Sequence, residues 1–314
     1  MNGKLIVIAI GGNSLIEDSK HVTVPSQYAA AKKTAHCIAQ LIKAGNRVVI
    51  AHGNGPQVGY ILRRAELSSK VLHTVPLDSC VADTQGAIGY QLQNALDNEL
   101  LSDNIRMNVA TVVTQVEVSD DDPSFQNPTK PIGSFMSEAD AKEREEKDGW
   151  SVVEDAGRGW RRVVASPKPL SIIEIETIRC LTDNGVVVIA AGGGGIPVVR
   201  DQNGYITGRE AVIDKDLAAA MLAKELKADL FVISTAVEKV ALNYGKPDQR
   251  NLDSVTVNEA ARYMAEGHFA AGSMLPKMQA AVDFVRTSGN AGIITDPINL
   301  YDSVYGDKGT KIIP

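Results

Sequence analysis

The chain reads as an α/β protein: a three-layer αβα sandwich around a largely parallel sheet, with a small protruding subdomain. Three observations predict this. Short apolar runs suited to buried parallel strands alternate with longer stretches of helical period. Three of those runs stop on glycine, at "IVIAIGGN" (residues 6–13), "RVVIAHGNG" (47–55) and "VVVIAAGGGG" (186–195). Residues 120–165 interrupt the alternation with an acidic turn, two prolines round Lys130, a charged helix and hairpin-like pieces.

In chain order, residues 5–10 form a strand. Ser26 then caps a helix running to Gly45, with Tyr28, Ala31, Ala35, Ile38, Leu41 and Ile42 on one apolar stripe. Residues 47–51 make the next strand, helices follow from about Gln57 and over 77–100, and 108–118 is a strand. This βαβα order predicts a parallel sheet covered on both faces. After the subdomain come a helix (171–184), a strand (186–191), a turn (200–208) and a helix (215–227). Strand 230–235, helices 257–266 and 276–287, and strand 292–294 complete the pattern. The chain is read as one domain of two lobes, about 1–185 and 186–314, with a crevice between them.

The 314 residues are 44% hydrophobic and 22% charged, ordinary for a folded globular chain. Net charge is −6, so no basic field recommends nucleic acid or an anionic membrane as partner. Cys37, Cys80 and Cys180 are odd in number and scattered among apolar neighbours. They read as small buried hydrophobes in a reducing compartment. The five histidines lack HxH or HxxxH spacing, which argues against a protein-built zinc site. No apolar run approaches the roughly 18 residues of a membrane span, and the N-terminus shows no signal peptide; a cytoplasmic location is expected.

Glycine after a buried strand lets the backbone turn sharply and lets a ligand approach its amides. In open α/β sheets ligands sit outside the carboxyl ends of the strands. One such loop reflects steric need more often than function, but three in one chain point to a crevice lined with N–H donors for phosphate. There is no GxxxxGK[ST] P-loop, the GxGxxxG of Gly53, Gly55 and Gly59 is not the dinucleotide fingerprint, and the protein-kinase set is absent. Three lysines stand out: Lys130 between prolines, Lys215 at a helix mouth between Asp214 and Asp216, and Lys277 just after Pro276. Lysine at a helix N-terminus opposes the macrodipole, so either an anion offsets the cost or the neighbouring aspartates do. His52 reads as a hydrogen-bonded structural residue, Trp150 and Trp160 as a subdomain mini-core, and "KEREEK" as a solvated helix face.

The stretches "AIGGNSL", "HGNGPQVG", "PLDSCVADTQGAIGYQLQNAL", "NPTKPIG", "GGGGIPV", "EAVIDKDLAAA", "LNYGKPDQ" and "GSMLPKM" resemble the carbamate kinases, of the amino-acid-kinase fold. The resemblance runs in order from about Leu5 past Lys277. It implies reversible phosphoryl transfer between carbamoyl phosphate and MgADP, giving MgATP and carbamate. Gly11, Gly12, Asn13, Gly53, Asn54 and Gly55 would hold carbamoyl phosphate. Lys130, Lys215 and Lys277 would neutralise the phosphoryl group, and Asp216 would organise them. Gly193, Gly194, Thr235, Val237, Tyr244 and Met274 would meet the nucleotide, with Mg²⁺ held by phosphates and water rather than a protein site. A homodimer is implied, with the long helix from Pro76 as a candidate surface. Ala236, Ser134, Met136 and Leu275 depart from the pattern expected of such kinases. Two other readings are a kinase for an amino acid or small acid, needing a carboxylate-binding arginine such as Arg158, Arg161 or Arg162, and a non-catalytic sensor.

Overall fold

The computed structural model describes residues 3–12, 15–16, 20–155 and 157–314; the predicted site residue Asn13 lies outside the described residues. Strand β1 (Leu5–Ile10) is buried along its whole length. Helix α1 (Val24–Lys43) starts three residues earlier than expected, because Thr23 rather than Ser26 is its cap: the Thr23 hydroxyl accepts from the Ser26 amide. Pro25 fits the first turn, where its missing N–H costs nothing. Strand β2 (Arg47–His52) leads into α2 (Gly55–Ser68), and α3 (Leu77–Ser102) follows.

The single strand expected over 108–118 is two, β3 (Val109–Thr111) and β4 (Gln115–Glu117), in different sheets. Thr114 makes the break: its hydroxyl donates to the Val112 carbonyl at 2.7 Å, diverting the chain from a regular ladder. The subdomain is a three-stranded antiparallel sheet of β5 (Lys130–Met136), β6 (Ser151–Glu154) and β7 (Trp160–Val164), order β5–β7–β6, with α4 (Glu138–Asp148) beside it. Helix α4 carries i,i+4 pairs Lys142–Glu138, Lys147–Glu143 and Arg144–Asp148, as a solvated face should. The tryptophans do not make a buried mini-core. Both are half-buried, and the Trp150 ring is flanked by the guanidinium groups of Arg144 and Arg162, 5.2 and 4.8 Å from its centroid.

The helix expected from residue 171 begins later. Ser171–Ile172 is a strand, β8, pairing with β4, and α5 (Ile175–Asp183) starts after Glu174, whose carboxylate accepts from the Gln115 amide at 2.7 Å. Then come β9 (Val187–Ile189), the hairpin β10 (Ile196–Arg200) and β11 (Ile206–Gly208), α6 (Lys215–Glu225) and β12 (Leu230–Ser234). The short pair β13 (Ala241–Leu242) and β14 (Arg250–Asn251) precedes β15 (Ser254–Thr256), α7 (Val257–Ala265) and α8 (Met274–Ser288). Strand β16 (Gly292–Thr295), α9 (Leu300–Tyr305) and β17 (Thr310–Ile313) end the chain.

The central sheet has the order β15–β17–β16–β12–β1–β2–β9–β3 and is parallel except between β16 and β17. Strand β9 inserts between β2 and β3, so the sheet does not divide at residue 185. Strand periodicity sorts the core into two layers. Leu5, Val7 and Ala9 of β1 share a cluster with Ala219 and Leu222 of α6 and Phe284 of α8. Ile6, Ile8 and Ile10 join Ile38 of α1, Leu92 of α3 and Leu300 of α9. The sheet is therefore the middle of three layers. A third cluster, including Val58, Leu62, Val81, Ile132, Val164 and Val212, fastens the subdomain to α2 and α3. Of the cysteines only Cys80 is buried; Cys37 is half-buried, and Cys180, on the outward side of α5, is exposed. Among the described residues no helix is long and apolar enough to cross a membrane.

Candidate active site

Strands β12, β1, β2 and β9 are neighbours and parallel, so their carboxyl ends open on the same edge. The loops that leave them are stitched together by backbone bonds. The Gly11 amide donates to the Ser234 carbonyl at 3.1 Å, the Gly53 amide to Ile10 at 3.0 Å, and the Ala190 amide to Ile50 at 2.8 Å. A Cβ at Gly12 or Gly55 would meet nothing within 4 Å, so open space faces the chain there. At Gly53 it would lie 3.5 Å from Lys215 Cδ and 3.7 Å from the Gly12 nitrogen. Gly53 is buried against Lys215, while Gly12 and Gly55 are exposed and leave their backbone accessible.

The third loop takes glycine for a different reason. Gly192 to Gly195 are buried, and each would drive a Cβ into the protein itself. The contacts would be with His52 Nε2 at 2.4 Å, Asn54 Nδ2 at 2.2 Å, the Ile213 carbonyl oxygen at 2.3 Å and Val116 Cγ2 at 2.2 Å. Gly193, Gly194 and Gly195 also hold positive φ. The sequence expectation that this loop is glycine-rich for ligand approach is corrected: Gly193 and Gly194 are required by packing. The loop acts as a wedge that fixes its neighbours. His52 is buried, and its Nδ1–H donates to the Gly53 carbonyl at 3.0 Å, since a carbonyl can only accept. Burial brings its pKa down to about 4, so the ring is neutral near pH 7. Asn54 donates to the Thr84 hydroxyl at 2.9 Å, and Gln85 bonds the Thr114 amide and the Gly192 carbonyl. Helix α3 thus holds two of the three loops.

The lysines converge on the N-terminus of α6. Asp216, 3% exposed, receives Lys215 Nζ on one carboxylate oxygen at 2.5 Å and Lys277 Nζ on the other at 2.9 Å. Burial pushes the Asp216 carboxyl up, but the two ammonium groups together outweigh it and bring its pKa down to about 2. Burial lowers the Lys215 pKa, Asp216 raises it and Lys277 lowers it, for a net downward shift. Asp214 caps α6 by accepting from the Asp216 and Leu217 amides, and its second oxygen receives Lys130 Nζ from β5 at 3.3 Å. Of the two options read in the sequence, the aspartates do pair with the lysines, with three ammonium groups facing two carboxylates.

The residues expected at the nucleotide lie farther along the same edge. The Thr235 amide donates to Thr295, Val237 is half-buried, and Tyr244 is 69% exposed beside Asn243. Met274 is the first residue of α8 and packs on the core. The 3.0 Å bond between Asn243 and His268 ties the loop of Tyr244 to the segment that enters α8. A cavity of about 650 Å³ lies apart from the lysines, between α2 and the subdomain, lined by Leu62, Glu66, Trp150, Arg162 and the divergent Ser134 and Met136 among others. Among the described residues no group of His, Cys, Asp and Glu could hold a metal ion.

Sequence reasoning named Asp214 only as a neighbour of Lys215 and missed its hold on Lys130, and it missed Thr84 and Gln85 altogether. Asp214 carried a signal, an aspartate directly before a helix, which reads as a cap. Thr84 and Gln85 carried none, because polar residues in a helix reveal a distant partner only when folded.

Comparison with known proteins identifies the family and the fold. The Amino acid kinase family matches residues 4–296. The carbamate kinase-like protein YahI of Escherichia coli is 50% identical, over 99% of both chains. The carbamate kinase of Lentilactobacillus hilgardii is 49% identical, over 99% of this chain and 97% of its own. The carbamate kinase of Giardia lamblia bound to AMP-PNP superimposes with a TM-score of 0.94 at 43% identity, covering 99% of each chain. The chain belongs to the amino acid kinase family and, within it, to the carbamate kinases and carbamate kinase-like proteins.

Proposed function

We propose that the protein is a carbamate kinase: it moves a phosphoryl group between carbamoyl phosphate and ADP, forming ATP and carbamate, which decomposes to ammonia and carbon dioxide. The observation that carries this is the pair Lys215 and Lys277 clamped on one buried carboxylate beside the Gly53 loop. Phosphoryl transfer spreads charge over the equatorial oxygens, so positioning and electrostatic stabilisation supply most of the catalysis. Amides of Gly12, Asn54 and Gly55 cradle carbamoyl phosphate, with Asn13 next to Gly12 in sequence; the Gly11 and Gly53 amides already donate to Ser234 and Ile10, so these two residues shape the loops instead. Lys130, Lys215 and Lys277 neutralise the group in transit. Asp216 is saturated by its two lysines and serves as their anchor rather than as a base.

The transfer is direct. The bond from phosphorus to the carbamoyl oxygen breaks as a bond to a β-phosphate oxygen of ADP forms, with no phosphoenzyme. Gly193 and Gly194 act by bracing the site, while Thr235, Val237, Tyr244 and Met274 border the nucleotide, the class of ligand seen as AMP-PNP in the Giardia protein. The donor set fits Mg²⁺ only when the ion is carried by the nucleotide, because the Asp214 and Asp216 oxygens are already engaged. When bound, the ion neutralises phosphate charge. Homodimerisation would use the outward face of α3, where Tyr90 is 68% exposed; sedimentation of wild type and Tyr90→Lys tests it.

A kinase for an amino acid is the weaker reading. Arg158 and Arg161 pair with Asp155, and Arg162 pairs with Glu210 and stacks on Trp150, so none is free for a substrate carboxylate. The test is ATP formation from ADP, Mg²⁺ and carbamoyl phosphate, set beside acetyl phosphate and beside ATP with glutamate or aspartate. Turnover confined to carbamoyl phosphate is expected. Turnover only with an amino acid, or ligand binding without turnover, contradicts the proposal.

A further inference from the structure

The segment that leads into α6 is also the seat of the subdomain. Glu210 pairs with Arg162 of β7 at 3.4 Å, Ala211 bridges Ala165, and the Val212 amide donates to the Ala165 carbonyl at 3.0 Å. Asp214 then receives Lys130 of β5, which lies opposite Val164 of β7 in the subdomain register. Of these contacts, only the last involves a lysine aimed at the phosphoryl site. The Asp214 carboxylate is divided between two tasks. One oxygen accepts the Asp216 and Leu217 amides and fixes the turn that carries Lys215 and Asp216; the other holds Lys130.

We propose that Asp214 is a positioning residue for phosphoryl transfer, setting where Lys130 stands relative to the Lys215–Asp216–Lys277 cluster. The inference rests on the reading of Lys130 as a phosphoryl-binding lysine. Charge supports it: two aspartates against three lysines leave one positive charge for an entering phosphoryl oxygen, so Asp214 can hold Lys130 without cancelling the site. The side chains of Lys130 and Asp214 are 39% and 19% exposed, and an ion pair open to water adds little to stability. Its loss should therefore appear in kinetics rather than in melting.

The test separates the two roles. Asn caps helices as well as Asp does, so Asp214→Asn keeps the cap and removes the charge held against Lys130. Its kcat/KM for carbamoyl phosphate should fall about tenfold, the scale of one charged hydrogen bond, with an unchanged melting temperature. Asp214→Ser, a second uncharged cap, should show the same loss. In a Lys130→Ala background, Asp214→Asn should cost nothing further. Wild-type kcat/KM in Asp214→Asn, or the same loss with and without Lys130, would overturn the proposal. Full activity of Lys130→Ala would refute the underlying reading of that lysine and the inference with it. An impaired Lys130→Ala beside a fully active Asp214→Asn would refute the inference alone.

Discussion

Replacing Asp216 with asparagine tests the lysine clamp with little change of shape. The carboxylate is 3% exposed and binds two ammonium groups, so its removal leaves two positive charges facing each other in a largely dry site. Breaking a buried ion pair by deleting one partner costs about 3–5 kcal/mol; asparagine retains an acceptor oxygen, which places the expected loss at about 3 kcal/mol. Linkage gives a consistent scale. Lowering the carboxyl pKa from 3.8 to about 2 corresponds to about 2 kcal/mol of stability, present above pH 3.8 and lost as pH falls through 2. In Asp216→Asn that acid loss should vanish. Activity should fall about a hundredfold in kcat, because the lysines lose the anchor that aims them. Asp216 also raises the Lys215 pKa against burial and Lys277, so without it Lys215 gives up its proton at lower pH. The alkaline limb of the rate profile for ATP formation should therefore move to lower pH in the variant. A variant with wild-type kcat and an unmoved alkaline limb would refute the reasoning.

Other substitutions probe the loops. Gly53→Ala fits without collision, 3.5 Å from Lys215 Cδ, so melting should shift by less than about 1 kcal/mol while KM for carbamoyl phosphate rises. Gly193→Ala places a methyl 2.2 Å from Asn54 Nδ2 at φ +67, and should destabilise the fold by about 3 kcal/mol in denaturant titration. His52 binds a proton more weakly folded than unfolded, so stability should fall as pH drops from 6.5 to about 4, by about 3 kcal/mol in total. That acid loss should be absent in His52→Gln, and a His52 imidazole resonance, assigned by its loss in that variant, titrating near 6.5 would contradict the burial argument.

Much of this was legible in the sequence because the signals were local. A six-residue apolar run ending on Gly11 gave β1 to the residue, and the alternation of strand and helix gave a parallel sheet with two covered faces. Lys215 and Lys277 were legible because lysine at a helix mouth contradicts the dipole preference. The failures came where a partner is remote. Thr114 split a predicted strand through bonds to its own loop and to Ala191, and Ser171 joined β4 because Glu174 reached Gln115. The four glycines from Gly192 gave no sign, in sequence, that His52, Asn54, Ile213 and Val116 were the atoms pressing on them. Their composition was plain, while their reason required the fold.

The most direct measurement of the central claim is the rate of ATP formation from carbamoyl phosphate and MgADP by wild type, Lys215→Ala and Lys277→Ala. Rapid synthesis by the wild type, lost about a hundredfold or more in each variant with the fold intact, is the predicted result. Undiminished synthesis in either variant would contradict the clamp.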